Sequence, residues 1–471
     1  MLINVNCKKT TMKRNSILLI ILSFFVLGTG CKKYVDIKTQ GNLVPGETLN
    51  YRYLLNDNNT FAFSVRGIDI PSDDIYIADS AQMADIQNSS TLQYYQRTYT
   101  WQPSIYILSG ESDPDWDRLY KTIYNANVII TEVGKSTGGT DSAKNEISAE
   151  AKVHRAEAYL MLVNMYAKPY SNTASADLGV PLLTAPTVTE ALTRAPLAKV
   201  FEQILEDLQS STKYLPTKNQ FNTLPSKAAA YALLARTNLY MANYQQAGAW
   251  ADSALAIQST LNDLAALTAS SYPRTLADPE LIFSKSAAQS NAYGQTAFRL
   301  SDSLLSLLGT ADLRYSLFTA PGNTVNTNYT GRFFSKERIG NFETRNYGPT
   351  VPEMMLIKAE TLARNGNVSD AMTLVNNLRK KRFTAAGYTP VTATTQQEAL
   401  VQVIKERQRE FFCRGLRWFD MRRLKSDPMF AQTLTRRFLN NTYTLAPNSD
   451  RYVFPIADYY RTFNPGIQAN P

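Results

Sequence analysis

Histidine and cysteine are nearly absent from this chain. Among its 471 residues there is one histidine, His154, and three cysteines, Cys7, Cys31 and Cys413. A zinc site built from several histidines is therefore excluded, and a Ser-His-Asp mechanism would have to run through His154. Three cysteines are too few for a four-cysteine metal site or a disulfide framework. No metal site and no cofactor are expected. Long apolar runs are missing too: the longest, Ile17 to Leu27, is broken by Ser23 and is shorter than the roughly 20 residues a membrane-crossing helix needs. What is abundant is hydrophobic content, at 44%, and this marks a folded protein rather than a disordered one.

The short apolar run has its own meaning. Lys8, Lys9, Lys13 and Arg14 precede it, and Gly28, Thr29 and Gly30 separate it from Cys31. A positive segment, an apolar segment and a small-residue site in that order form an export signal. Cysteine directly after Leu-Gly-Thr-Gly is similar to a bacterial lipobox, in which the cysteine becomes the lipidated first residue of the mature protein. Here the leucine lies four positions before Cys31, and Gly28 occupies the usual three-position spacing. Lipidation at Cys31 is the expectation, and an ordinary secretory cut leaving a free thiol is the alternative. Met12 begins a more conventional signal than Met1, and the sequence leaves both starts open. Removing residues 1–30 takes away four positive charges and no negative ones, which lowers the net charge from +9 to +5. Such a balance lacks the basic stripe of a nucleic-acid surface, and no nucleic-acid partner is expected.

Along the remaining chain, residues 31–47 read as a polar tether, and helical periodicity begins after residue 110. Leu119, Ile123, Ala126 and Ile130 fall on one helical face, as do Val153, Ala156, Leu160 and Val163, and again Val200, Ile204 and Leu208. Eight helices are expected, near 115–134, 145–167, 196–214, 226–241, 245–258, 352–364, 369–382 and 396–413. The stretch beginning AAAYALLARTNLYMANY aligns without a gap on MLIKAETLARNGN at an offset of 124, matching Ala235 with Ala359, Asn243 with Asn367 and Ala247 with Ala371. Small residues at such positions let two antiparallel helices approach closely, the logic of a tetratricopeptide unit. The fold class is thus mostly α, a scaffold of four helix pairs over about 115–258 and 352–425. Loop-rich regions occupy about 51–110, 259–350 and 426–471. Residues 51–106 hold ten aromatics in 56 positions, against 11% overall. Loops so long in a compact protein are usually functional or disordered, and their aromatic content argues against disorder.

Segments spread over the whole mature chain carry a resemblance. They are CKKYVDI after the cysteine, WDRLYKTIYNANVII, AEAKVHRAEAYLMLVNMYA with LGVPLL, RAPLAKVFEQILEDLQSSTKYLP, KERQREFFCRGLRWFDMRRLK and YVFPIADYYRTFNPGIQANP. In this order they resemble the SusD/RagB family of outer-membrane nutrient-binding lipoproteins, with Arg414 standing where an acidic residue is common and Ala457 where a proline is usual. The resemblance implies a single domain over 48–471 that binds an oligosaccharide, or in one branch a peptide, and carries no catalysis. It further implies lipid anchoring at the cell surface and a partner, a SusC-like TonB-dependent transporter. An exported glycoside hydrolase is the competing class, and the lack of a convincing carboxylate pair counts against it.

The candidate site residues are those able to bind a sugar. Aromatic rings stack on the apolar faces of pyranose rings while carboxylates and guanidinium groups bond to hydroxyls. On this basis Tyr76, Tyr94, Tyr95, Trp101 and Tyr293, with Asp73, Asp74 and Arg299, are the expected ligand-binding set, each weighed against a place in the core or a partner interface. Asp73 and Asp74 read as hydrogen-bonding or turn residues rather than a hydrolase pair, because neighbouring carboxylates on a strand point apart. His154 is expected to be structural. The run from Lys405 to Lys425 reads as an ion-pair network, with Glu406–Arg409, Glu410–Arg414 and Arg417–Asp420 at helical spacing, rather than as an anion patch.

Overall fold

A computed structural model describes residues 45–77, 79–90, 92–187, 191–288, 298–335 and 345–470. The export segment, Cys31, most of the tether and Tyr293 lie outside the described residues. The chain divides into two units, Met1–Gly46 and Glu47–Pro471, and every element below belongs to the second.

Among the described residues nine helices form the scaffold: α1 (Pro114–Glu132), α2 (Asp141–Tyr166), α3 (Leu197–Ser211), α4 (Lys227–Tyr240), α5 (Tyr244–Leu255), α6 (Val351–Arg364), α7 (Val368–Lys380), α8 (Gln396–Phe411) and α9 (Leu416–Leu424). Local chemistry fixes their starts. Asp113, Thr140, Ser226, Thr350 and Thr395 cap α1, α2, α4, α6 and α8 by accepting from backbone N–H groups, and Glu398 completes a capping box on α8. Each helix from α1 to α7 packs on the next, and α8 closes on α6 and α7. This is a tetratricopeptide-like stack, mostly α with little sheet. The eight expected helices are α1 to α8, and α9 is an addition.

The offset of 124 is visible in the backbone. Between α4 and α5, Ala242 takes φ 59°; between α6 and α7, Gly366 takes φ 82°. Asn243 and Asn367, next in line, share φ −81° and differ by only 3° in ψ, at 64° and 67°. Each donates its backbone N–H at 2.9 Å, Asn243 to Asn238 and Asn367 to Leu362. The same turn is thus made twice. Between these two helix pairs Gly248 on α5 faces Thr361 on α6, where a Cβ would come within 2.8 Å of Thr361 Cγ2.

The described residues of the intervening regions contain short helices and three antiparallel two-stranded ladders: β1 (Ile75–Tyr76) with β2 (Arg299–Leu300), β3 (Thr319–Pro321) with β4 (Arg332–Phe334), and the hairpin β5 (Leu434–Phe438) with β6 (Asn441–Leu445). Buried arginines sew these regions to the scaffold. Arg382 pairs with Glu280 at 2.7 Å and Glu410 at 2.9 Å. Arg314 pairs with Asp312 at 2.6 Å, Glu406 at 2.8 Å and Glu410 at 2.7 Å. Of the three local pairs expected, Glu406–Arg409 forms, at 3.0 Å. Glu410 is instead occupied by Arg314 and Arg382, while Arg417 takes Asp73 at 2.6 Å and leaves Asp420 to Arg407 and Arg423, each at 2.8 Å.

The C-terminal end of α2 is closed by distant residues. The Tyr166 carbonyl accepts from Arg194 at 3.2 Å and from Asn470 at 2.8 Å, and Phe454 N–H donates to Met165 at 2.8 Å. Arg422 donates to the carbonyls of Asn164 and Ala167, so the orphan acceptors of this helix end are met. His154, inside α2, is buried between the rings of Phe61 and Phe283, at 4.8 and 5.4 Å, with Lys285 Nζ 2.9 Å from its Nδ1. Burial, then the Lys285 charge, push its pKa well down, which fits the structural role expected of it.

Candidate functional site

A cavity of about 670 Å³ opens where the first loop region meets the C-terminal hairpin. Strand β1 supplies one wall, with Asp73 leading into it and Tyr76 at its end, and the following helix Ser80–Asn88 presents Ser80 and Met83. The opposite wall is β5 and its turn, with Thr435, Arg437 and Asn440 exposed. LTRRFLNNTYTL forms this hairpin because Leu434, Arg436 and Phe438 alternate with exposed Thr435 and Arg437, and Leu439, at φ 52°, makes the turn. The floor is Tyr99 and Arg436. The Arg436 guanidinium lies 4.0 Å from the Tyr99 ring centre and 4.4 Å from that of Trp101, and donates to the Tyr99 carbonyl at 2.5 Å.

Asp73 and Asp74 are neighbours with opposite electrostatics. Burial alone would raise the Asp73 pKa, but the bidentate Arg417 contact, at 2.7 and 2.6 Å, holds it below the usual carboxylate range, and Gln432 adds a bond at 3.0 Å. Asp74 is fully buried and, among the described residues, has only Gln408, at 3.1 Å, as a side-chain donor. Burial first, then the Asp73 charge, push it up to about 8, so at neutral pH it is mostly the neutral acid. One carboxylate therefore offers charge at the cavity edge, and the other is withdrawn into the protein.

The expected set is thus divided. Asp73 and Tyr76 line the cavity. Tyr94, Tyr95 and Trp101 belong to the main core, exposed by 9%, 7% and 6%, which corrects their expected role as open stacking faces. Their surroundings explain the burial. Arg66 covers the Tyr94 ring at 4.8 Å, and Tyr95 meets Tyr94 and Phe298 edge to face. Trp101 donates Nε1–H to the Pro71 carbonyl at 3.0 Å, so even its polar atom is met internally. Asp74 and Arg299 are buried as well; Arg299 packs on the Tyr329 ring at 4.3 Å and donates to the Thr330 carbonyl at 3.1 Å. It acts from beneath, since the loop it braces is tied by Thr330 to Asp79 at 2.9 Å. The hairpin wall was missed, although its alternation on either side of Leu439-Asn440 was a strand signal in the sequence.

Among the described residues no cluster of three or more His, Cys, Asp or Glu side chains is placed to hold a metal, and no helix is long and apolar enough to cross a membrane. Chemically, a cavity edged by tyrosine, hydroxyl, amide and guanidinium groups can stack on a ring and bond to its substituents.

A helical-pair scaffold carrying such a cleft on its irregular segments defines a class of binding fold, and comparison with known proteins agrees. A family model described as "Starch-binding associating with outer membrane" matches residues 33–239, and one described as "SusD family" matches residues 309–471. A SusD-like protein P2 of Formosa agariphila is 31% identical over 133 residues, 28% of this chain and 25% of that protein. SusD-like protein P25 of the same organism is 28% identical over 135 residues, or 24% of its length, so these matches span about a quarter of either relative. A crystal structure of a SusD superfamily protein from Bacteroides thetaiotaomicron superposes with a TM-score of 0.72 at 20% identity, covering 90% of this chain and 100% of that one. One of a SusD-like carbohydrate binding protein from Bacteroides vulgatus gives 0.69 at 20% identity, covering 90% and 97%. The chain belongs to the SusD/RagB family.

Proposed function

We propose that this protein is a surface lipoprotein that captures an oligosaccharide and passes it to a TonB-dependent outer-membrane transporter, without turning it over. The observation that carries the reading is the cleft edged by Asp73, Tyr76, Thr435, Arg437 and Asn440, one half-buried ring among groups that bond to hydroxyls. Family membership supports it, as do the carbohydrate-binding description of the Bacteroides vulgatus neighbour and the outer-membrane association in the matching family model. The transporter is part of the proposal because a large polar ligand cannot cross a bilayer unaided. Anchoring rests on the apolar run ending just before Cys31. Cys31→Ala should move the protein from the membrane to the soluble fraction, and mass spectrometry of the wild type finding an unlipidated terminus would refute the anchor.

The binding site is tested by titration calorimetry with neutral oligosaccharides and with short peptides. Tyr76→Ala should weaken oligosaccharide binding by about 1–3 kcal/mol, the range for removing an aromatic anchor, while leaving the melting temperature nearly unchanged. Trp101→Ala should instead cost about 3–5 kcal/mol of folding stability, as a core aromatic does. Tight peptide binding lost in Tyr76→Ala, with no oligosaccharide bound, would turn the reading to peptide uptake.

A further inference from the structure

The basic run between Lys405 and Lys425 is not uniform once folded. Arg407 and Arg423 hold Asp420, Arg409 holds Glu406, Arg417 holds Asp73, and Arg422 is taken up by backbone carbonyls. Arg414 stands in the field of Glu410. Lys405 and Lys425 remain, and neither is in an ion pair with a described residue. Both line a second cavity, of about 250 Å³, between α8, α9 and the segment that follows.

The lining of that cavity contains no carboxylate. Met421 and Phe430 give it an apolar wall, and Gln408 and Gln432 enter from the side shared with the larger cleft. Their amide nitrogens already donate to Asp74 and Asp73, which leaves their carbonyl oxygens to accept from a ligand. The Lys425 ammonium lies 5.1 Å from the centre of the Tyr452 ring. Burial, then the Arg422 charge, push its pKa down, with Lys168 acting the same way and Asp450 alone opposing. Burial and the nearby Arg422 and Lys168 charges make the Lys425 ammonium costly in this partly apolar hollow, which Lys405 and the Asp73-bound Arg417 also line, and that cost is relieved by an anion. The volume lies at the small end for ligand sites and suits one ring rather than a chain.

We propose that this cavity binds a carboxylate-bearing sugar, a uronic acid residue, with Lys405 and Lys425 on the carboxylate, the glutamine oxygens on hydroxyls and the Met421–Phe430 wall against the ring. The Asp73–Arg417–Gln432 contact separates it from the larger cleft, so the assignment stands whatever that cleft holds.

The test is titration of the full mature chain with D-glucuronate, D-glucose and N-acetyl-dialanine, followed by ligand-observed NMR or calorimetry. Glucuronate should bind, roughly tenfold more weakly in a Lys405→Ala/Lys425→Ala double variant and within about threefold of wild type in Lys405→Arg/Lys425→Arg, which keeps the charge. Raising salt from about 50 to 500 mM should weaken it, and Tyr76→Ala should leave it unchanged. Glucose binding as well as glucuronate, an unaffected double alanine variant, or the dipeptide binding more tightly than glucuronate would each overturn the assignment. The arginine variant guards against misreading a folding defect, since only loss of charge should weaken binding tenfold.

Discussion

The scaffold helices and the loop-rich regions are held together by different balances of apolar packing and buried ion pairs. Along α4 and α5 most packed positions are alanine, glycine and leucine, with Arg236 on α4 paired to Glu353 on α6 at 2.5 Å, and close approach is allowed by small side chains such as Ala235, Ala247 and Gly248. The loop regions are instead fixed by buried guanidinium groups: Arg314, Arg382 and Arg436 each bind several acceptors from segments far apart in sequence. Periodic apolar packing needs neighbours that are near in sequence, whereas an irregular loop must find its fixed points elsewhere. The difference shows in how each region should fail.

The largest loss is expected in the loop regions. Arg382→Ala leaves Glu280 and Glu410 buried beside each other without this cation, and should cost about 3–5 kcal/mol in urea unfolding. A loss below about 1 kcal/mol would mean that the arginine is dispensable and that apolar packing holds the loops too. The next effect is one of pH. The folded protein keeps the Asp74 proton up to about 8, while the unfolded chain releases it near the ordinary value of 3.8, so this group makes stability fall as pH rises between those limits. Glu150, raised to about 7 chiefly by burial, adds to the same trend. Asp74→Asn should flatten the profile by more than about 1.4 kcal/mol across that window, the linkage value of one pKa unit; parallel profiles for the two proteins would show that Asp74 is ionised. The smallest belongs to the scaffold. Gly248→Ala should lose about 1 kcal/mol, because crowding against Thr361 outweighs the helix propensity gained. A gain in melting temperature would show that the α5–α6 contact has slack.

The same division governs what could be read from the sequence. Expected helix ends agree with α1 to α8 within a few residues, because capping residues and apolar spacing are local properties. The turn repeated at an offset of 124 was legible for that reason. Helix α9 was not: LRWFDMRRL has no apolar stripe, and the helix starts at Gly415, whose φ of 80° and closeness to the Ile68 side chain are tertiary facts. Glu406–Arg409 was legible because both partners lie on one helix, whereas Arg417 found Asp73, 344 positions away. In the candidate site, Asp73 and Tyr76 reached the cleft. Tyr94, Tyr95 and Trp101 entered the core, since aromatic enrichment signals burial and binding alike. The hairpin wall came from a part of the chain read only as loop.

The closure of α2 has a consequence in time. This 26-residue helix ends at a carbonyl whose partner Asn470 is made 304 positions later. At ordinary synthesis rates of about 5–20 residues per second, that delay is on the order of 15–60 s. Arg194 reaches the same carbonyl from 28 positions on, but the remaining donors, Arg422, Phe454 and Asn470, arrive only near the end, so the helix end is completed in stages. Premature termination near residue 450 should therefore yield a nearly full-length protein whose α2 end keeps Arg194 and Arg422 but lacks Phe454 and Asn470.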